Sequence, residues 1–273
     1  MSKLTCAIVW IAALICAPLA LAGGSYVSFD FTADFNKLSP GPYQIAQQQS
    51  LWTDWHIVSQ RNRDLGPNLL FHIVATPQGN ALQAYYPKGS IGTSVGISGY
   101  GDEVWSTSWP ATSRINVEFY VTFLSGFDFN GSQGKIFRLR AGNYELRLMW
   151  NYSGPFARAT RGAHFRAYTG DIATNKHFLE TKSAYNIVPG QTYDVHMWLA
   201  PGSSGGAGID INGQSIFRDT AHRYTGGWWT GSLLVEHNTF FGGGGAPFSM
   251  LSAEVPCYAR LMRSIRVWSG SGK

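Results

Sequence analysis

Ile115-Asn116-Val117-Glu118-Phe119-Tyr120-Val121-Thr122-Phe123 alternates apolar and polar side chains over nine positions. A strand sends successive side chains to opposite faces. Ile115, Val117, Phe119, Val121 and Phe123 therefore make one apolar face, and Asn116, Glu118, Tyr120 and Thr122 the other. The period is two, and the apolar members are β-branched or aromatic, which suits a half-buried strand. A strand with one apolar face needs a second layer over it, and packed antiparallel sheets are the common solution.

The same period recurs on both sides. Residues 26–31, 81–86, 135–140, 144–151, 163–168, 193–199, 233–241 and 258–268 read as further strands between glycine-rich turns. Ile209-Asp210-Ile211-Asn212-Gly213-Gln214 reads as a hairpin turning at Asn212-Gly213, the pair that best accepts positive φ. Helix is scarce: 44–52 and 171–183 carry short turns at most. No internal repeat, heptad or low-complexity tract appears. The expectation is an all-β sandwich of two antiparallel sheets, with residues 23–273 as one domain.

Residues 1–22 stand apart. Met1-Ser2-Lys3 is a basic start, 6–21 is an apolar run, and Ala20-Leu21-Ala22 has the small-x-small form of a signal cleavage site before Gly23. Pro18 interrupts the run, and no later segment is long and apolar enough to span a bilayer. A secreted or periplasmic protein of roughly 250 residues is expected, as a monomer, with no membrane span after processing. Cys6 and Cys16 leave with the signal, so Cys257 stands alone and reads as a small buried apolar residue.

The net charge of +5 points to anionic partners, but the basic residues are scattered, which disfavours nucleic acid. The histidines lack metal-ligand spacing, and no calcium loop, nucleophile elbow or phosphate loop is present. No cofactor or metal is expected. Asp and Glu total only 16, with no paired-carboxylate run, which disfavours glycoside hydrolysis.

Alternation also sorts polar faces. Glu145, Arg147 and Met149 oppose Tyr144, Leu146, Leu148 and Trp150; His164, Arg166 and Tyr168 oppose Ala163, Phe165 and Ala167. Asp194, His196 and Trp198 oppose Tyr193, Val195, Met197 and Leu199. Arginine, histidine, tyrosine and tryptophan are typical of binding surfaces, so these three polar sets are expected to line one concave carbohydrate groove, the alternative being a plain solvated exterior.

Several elements resemble, in shared order, the family-14 polysaccharide lyases, jelly-roll enzymes that cleave alginate and glucuronate polymers. Tyr86-Pro87-Lys88-Gly89-Ser90 is similar to the family's YPKGS element, and Glu118 to Val121 with Phe127-Asp128-Phe129 to its long core strand. Gly134-Lys135 is similar to the loop with its functional lysine, Arg147-Leu148-Met149-Trp150 to its S-x-R-x-x-W strand, and Arg166-Ala167-Tyr168 to its Y-x-Y. Thr239-Phe240-Phe241-Gly242-Gly243 is similar to its TFFGG. The likeness spans roughly residues 80–268 and implies a concanavalin-like jelly roll. The chain departs from the family at Glu145, where it has serine, at Arg166, where it has tyrosine, and over 136–140, which replaces a proline-glycine loop.

The resemblance implies β-elimination on a uronate-containing polysaccharide such as alginate or glucuronan. Lys135, Arg147 and Tyr168 match the family residue for residue and, with His164 and His196, are the candidate catalytic groups. Arg147 pairs the substrate carboxylate through its planar fork. Tyr168 is the acid, or the base if cations lower its pKa, and Lys135 or a neutral His164 or His196 fills the remaining role. Glu145, Arg166, Arg138, Lys88 and Trp198 are the candidate substrate-binding groups; Glu145 repels an anionic substrate unless Arg147 or Arg166 pairs it. The alternatives are a non-catalytic carbohydrate-binding module, with Trp198, Trp228 and Trp229 stacking sugars, and a structural surface protein retaining only the fold.

Overall fold

The stretch at 115–123 forms a strand, Ile115–Phe123, in this computed structural model, with Val117, Phe119, Val121 and Phe123 fully buried. The structure describes residues 29–42, 56–60, 71–85, 104–109, 113–127, 129, 133–151, 163–174, 176–181, 185–200, 205–221, 233–238 and 259–270. The expected leader 1–22, the expected turn at 44–52, Lys88 with its 86–90 element, Trp228, Trp229, the 239–243 element and Cys257 lie outside the described residues.

In chain order the strands are β1 (Asp30–Ala33), β2 (Gly41–Pro42), β3 (His56–Gln60), β4 (Phe71–Thr76), β5 (Gly79–Tyr85) and β6 (Val104–Trp109). There follow β7 (Ile115–Phe123), β8 (Gln133–Ala141), β9 (Tyr144–Asn151), β10 (His164–Asp171), β11 (Lys176–Glu180) and β12 (Tyr185–Asn186). The last are β13 (Thr192–Ala200), β14 (Gly206–Ile211), β15 (Gln214–Asp219), β16 (Leu233–Asn238) and β17 (Ala259–Ser269). A short 3-10 turn covers Phe35–Lys37.

The strands form two sheets. The first runs β15-β14-β13-β7-β17-β5-β4-β2, with β1 beside β17; the second runs β11-β10-β9-β8-β16-β6-β3, with β12 beside β10. The pairings are antiparallel. This is the sandwich of two antiparallel sheets that the alternation predicts, and the jelly roll that the resemblance implies. The hairpin between β14 and β15 turns at Asn212 (φ 51°) and Gly213 (φ 74°), both left-handed as a two-residue hairpin loop requires.

The sheets meet through aromatic pairs. Phe119 stacks on Phe137 at 4.7 Å, Phe165 meets Tyr193 edge-on at 5.0 Å, and Phe123 meets Trp150 edge-on at 5.4 Å. Two polar links also cross the interior. Thr169 on β10 donates to Asp219 on β15 at 2.6 Å, satisfying a buried carboxylate oxygen. Arg260 on β17, 1 % exposed, donates to the Lys135 carbonyl at 3.3 Å and to His237 Nε2 on β16 at 2.7 Å. Burial, and then the Arg260 charge, hold the His237 pKa well below the usual histidine value, so the ring is neutral and can accept.

Three differences from the sequence reading have physical causes. Residues 176–180 form an edge strand rather than part of a turn; its two ends, Lys176 and Glu180, are charged, so no alternation marks it. β4 is a mostly apolar run without period two, and it turns into β5 at Gly79, whose φ is +105°. Among the described residues β3 pairs with β6 and β6 with β16, and their sequences carry small polar residues where a strand signal would need apolar ones.

Candidate functional site

Register places the site residues in rows across the outward face of the second sheet. Arg138 on β8, Arg147 on β9 and Tyr168 on β10 form one row, continued by Glu236 on β16 and Glu180 on β11. The next row carries Arg140, Glu145 and Gly170. On the other side, Lys135 is opposite Met149, and Met149 is opposite Arg166. His164 closes the face, opposite Asn151. Glu145, Arg147, His164, Arg166 and Tyr168 thus share one face, as alternation implies; Arg138 joins them, and Lys135 does so only because the β8 register shifts between it and Phe137.

His196 and Trp198 do not. They lie on β13, in the first sheet, with Val195, Met197 and Leu199 buried beneath them, so they face out on the opposite side of the sandwich. Alternation tells which side chains avoid the core; it is silent on which sheet's outer face they join. There His196 stacks on Trp268 at 5.4 Å, and Trp198 lies against Gly208, where an added Cβ would collide with its indole. Neither residue can reach a glycan held by Arg147.

A bulge sets Lys135. Two residues, Lys135 and Phe137, oppose the consecutive Met149 and Leu148, leaving Ile136 extra and fully buried. A bulge bends the strand and re-aims its side chains. Arg260 braces this point from inside through the Lys135 carbonyl. Gly134 precedes it because the Trp150 indole occupies the space a Cβ would need.

The face is densely charged and little exposed. Glu145, Tyr168 and Glu236 are only 3–4 % exposed, unlike side chains of a plain solvated exterior. Arg147 Nη2 donates to both Glu145 oxygens, at 2.8 and 2.6 Å, and Arg138 Nη1 reaches Glu145 at 3.2 Å. Arg138 Nε pairs Glu236, which Arg140 also approaches at 3.5 Å. Arg166 pairs Glu180. Among the described residues, four guanidinium groups (Arg138, Arg140, Arg147, Arg166) meet three carboxylates (Glu145, Glu180, Glu236) on this face, before Lys135 is counted. Glu145 is thereby neutralised, and Arg147 keeps a buried Nε without a hydrogen-bond partner. Burial lowers the Arg138 pKa, but Glu236 and then Glu145 outweigh it, so the pKa is raised and the charge is locked.

Tyr168 sits among these cations. The Arg147 guanidinium lies 5.0 Å from its ring centre and that of Arg166 5.8 Å, while His177 of β11 stacks on it at 4.0 Å. Burial pushes the phenol up to about 12, and Glu145 adds to this; Arg147, Arg166 and Arg138 pull the other way without overcoming it. Tyr168 is therefore protonated at neutral pH and acts as a donor. Burial and then Arg166 lower the His164 pKa, so His164 is neutral. It stands four residues from Tyr168 along β10, about 13 Å at the usual strand rise.

The sequence reading missed Glu236, Glu180, His177 and Arg140. Glu236 and Arg140 pair across strands nearly a hundred residues apart, which no local spacing reveals, and Glu180 and His177 lie on β11, in the stretch that reads as a turn. Among the described residues no group of histidines, cysteines and carboxylates is arranged to hold a metal, and no helix is long and apolar enough to cross a membrane.

No protein-family model matches the chain, and no curated protein sequence does. Solved structures match over most of its length. A double mutant of alginate lyase Aly36B in complex with alginate tetrasaccharide has 18 % identity and a TM-score of 0.64, over 89 % of this chain and 98 % of that one. Another Aly36B double mutant, with alginate trisaccharide, has 17 % identity and a TM-score of 0.62 over 89 % and 98 %. Alginate lyase vAL-1 from Chlorella virus has 14 % identity and a TM-score of 0.58 over 85 % of this chain and 99 % of its own. The chain has the jelly-roll fold of these polysaccharide lyases.

Proposed function

We propose that the protein is an exported polysaccharide lyase that cleaves an anionic, uronate-containing polysaccharide of the alginate or glucuronan type by β-elimination. The observation that carries this is the Arg138–Arg147–Tyr168 row, where a protonated phenol lies on a face whose guanidinium groups outnumber its carboxylates among the described residues. The alginate-bound Aly36B structures lend support: in them a lysine, with a tyrosine or a methionine, is replaced by alanine. Lys135, Tyr168 and Met149 supply these side-chain types on the groove face here.

Elimination needs the uronate carboxylate neutralised so that loss of the C5 proton is tolerable. Arg147, with its unpartnered Nε, takes that part. A base removes the C5 proton, the electron pair forms the C4–C5 double bond, and the C4–oxygen bond breaks. An acid then protonates the departing glycosidic oxygen. Tyr168 is that acid, because its proton is retained at neutral pH. Lys135, as the free amine, is the base and leaves the step as the ammonium: it stands two strands and one row from Tyr168, about 12 Å between backbones, a gap that its long side chain and the phenol close from both ends. His164 is too far along β10 to act on the same sugar ring; it contacts a neighbouring one, with Arg166. Glu145 holds Arg147 and Arg138 in place rather than meeting substrate.

Incubation with alginate, glucuronan and glycosaminoglycans, followed by the absorbance of unsaturated uronate ends, tests this. Product from at least one polymer is expected. Binding without unsaturated ends at any pH would replace the reading with a non-catalytic carbohydrate-binding module. Export predicts cleavage after Ala22. N-terminal sequencing of exported protein would then begin at Gly23, and a start at Met1 in membrane fractions would mean an uncleaved anchor.

A further inference from the structure

The outward face of the first sheet holds a cavity of about 320 Å³, on the far side of the sandwich from Arg147. That volume is at the lower end for small-ligand sites, about 300–1,000 Å³. It is lined by Asp34, Asn36, Gln78, Asn80, Tyr120 and Arg263, together with Phe35 and Ser264. Arginine, amides, a carboxylate and an aromatic ring are the groups that bind sugar hydroxyls and acidic substituents.

Arg263 is the unusual member. The β17–β7 register shifts between Met262 and Ile265, so Arg263 and Ser264 form a bulge that re-aims the arginine. Its guanidinium lies 4.9 Å from the Tyr120 ring centre. No carboxylate pairs with it among the described residues, and its Nε is buried without a hydrogen-bond partner. An arginine charge that no carboxylate neutralises, at the wall of a cavity, is one that an anionic group can pair. The nearby cavity beside Asp194 and Ser215 differs: its Arg218 is already paired with Asp210 at 2.5 Å.

The amides are pre-positioned. Asn36 Oδ1 accepts from the Asn80 backbone at 2.7 Å, and Asn80 Nδ2 donates to the Leu38 carbonyl at 2.8 Å. Asp34 Oδ1 accepts from the Asn36 backbone and side chain, at 3.1 and 3.0 Å. Gly79 allows this approach, because a Cβ there would meet the Asn36 amide.

We propose that this cavity is a second glycan-binding site, taking one carboxylate-bearing sugar residue with its carboxylate on Arg263 and its hydroxyls on Asp34, Asn36, Gln78 and Asn80. It tethers the protein to an acidic polymer independently of the groove, and it stands whether or not the groove is catalytic.

The test titrates the Arg147→Ala protein with a mannuronate trisaccharide, following the arginine Nε–H resonances by ¹⁵N NMR. A residual one-to-one binding event that shifts the Arg263 signal is expected. Arg263→Gln added to Arg147→Ala weakens it about tenfold to a hundredfold, the scale of one charge-assisted pair. Arg263→Lys, which keeps the charge and loses the fork, gives an intermediate loss and guards against misfolding. A neutral glucose trisaccharide and acetate at equal concentration leave the Arg263 signal in place. Unchanged affinity in Arg147→Ala/Arg263→Gln, equal binding of the neutral trisaccharide, or an equal shift with acetate would overturn the proposal. Arg263→Gln alone leaves cleavage of a short soluble substrate unchanged. Loss of all lyase activity in wild type, with Arg263-dependent binding intact, would sink the groove reading and leave this one standing.

Discussion

At the scale of single residues, the site turns on how Tyr168 is kept protonated among cations. Nearby positive charge favours the phenolate, yet burial and Glu145 outweigh three arginines and push the pKa to about 12. Glu145, which replaces the serine of the resembled pattern, thus both holds the arginines and preserves the acid. Tyr168→Phe keeps the ring against His177 and Arg147 but removes the proton. Polyuronate binding is expected to survive while kcat falls about 10²–10⁴-fold, the usual span for a general acid. A near-wild-type rate would move the acid role elsewhere. Arg147→Ala is expected to lower kcat/KM at least as far, and also to strip Glu145 of its closest partner. Glu145 keeps Arg138, so the loss of stability stays below the about 3–5 kcal/mol of a buried charge left alone, and denaturant midpoints read beside the rates separate lost chemistry from lost fold.

At the scale of elements, the β8 bulge links core and groove. Trp150 lies against Gly134, the extra Ile136 is buried, and Arg260 braces the Lys135 carbonyl from the other sheet. Gly134→Ala forces the indole into Phe123, Phe127 or Phe129, which already pack around it. Overpacking of this kind costs about 1–3 kcal/mol. A lower denaturant midpoint together with a reduced rate is expected, because Lys135 follows directly. An unchanged midpoint would mean that Trp150 yields freely and that the bulge is not pinned. Strands whose alternation is clean, such as β7, β9 and β13, were legible in the sequence nearly to their ends, since one face of each must be buried. Edge strand β11 was not, because an exposed edge places no apolar demand on its sequence. The same logic explains the site. Glu145, Arg147, Arg166 and Tyr168 were legible because neighbouring strands share their face. His196 and Trp198 fall on the other face because period two does not encode sheet membership; Glu236 escapes because its arginine partner is 98 residues away, and Glu180 because its strand reads as a turn.

At the scale of the whole molecule, the buried histidines make stability depend on pH. Burial lowers the pKa values of His72, His164 and His237 from their ordinary 6.5, with Arg166 adding at His164 and Arg260 at His237. The unfolded chain therefore binds protons below pH 6.5 that the folded chain refuses, and stability falls as pH falls from there. The His237 contribution is the largest, because its pKa lies furthest below 6.5. Each fully refused proton is worth at most about 1.4 kcal/mol per pH unit. A second, smaller loss follows in more acid solution. Hydrogen bonds from Arg266 and Arg166 depress the carboxyl pKa values of Asp30 and Glu180 below 3.8 and 4.5, and that stabilisation disappears as pH drops through the folded values. Both pairs are partly exposed, so screening keeps their share small. Denaturant titrations at pH 7.5, 6.5 and 5.5 are expected to give a falling midpoint across this range. His237→Gln retains an acceptor for Arg260 but does not titrate, so its midpoint starts lower at pH 7.5 and falls less steeply. An equal slope in the two proteins would place the pH dependence at His164 or His72 and remove His237 as its main source.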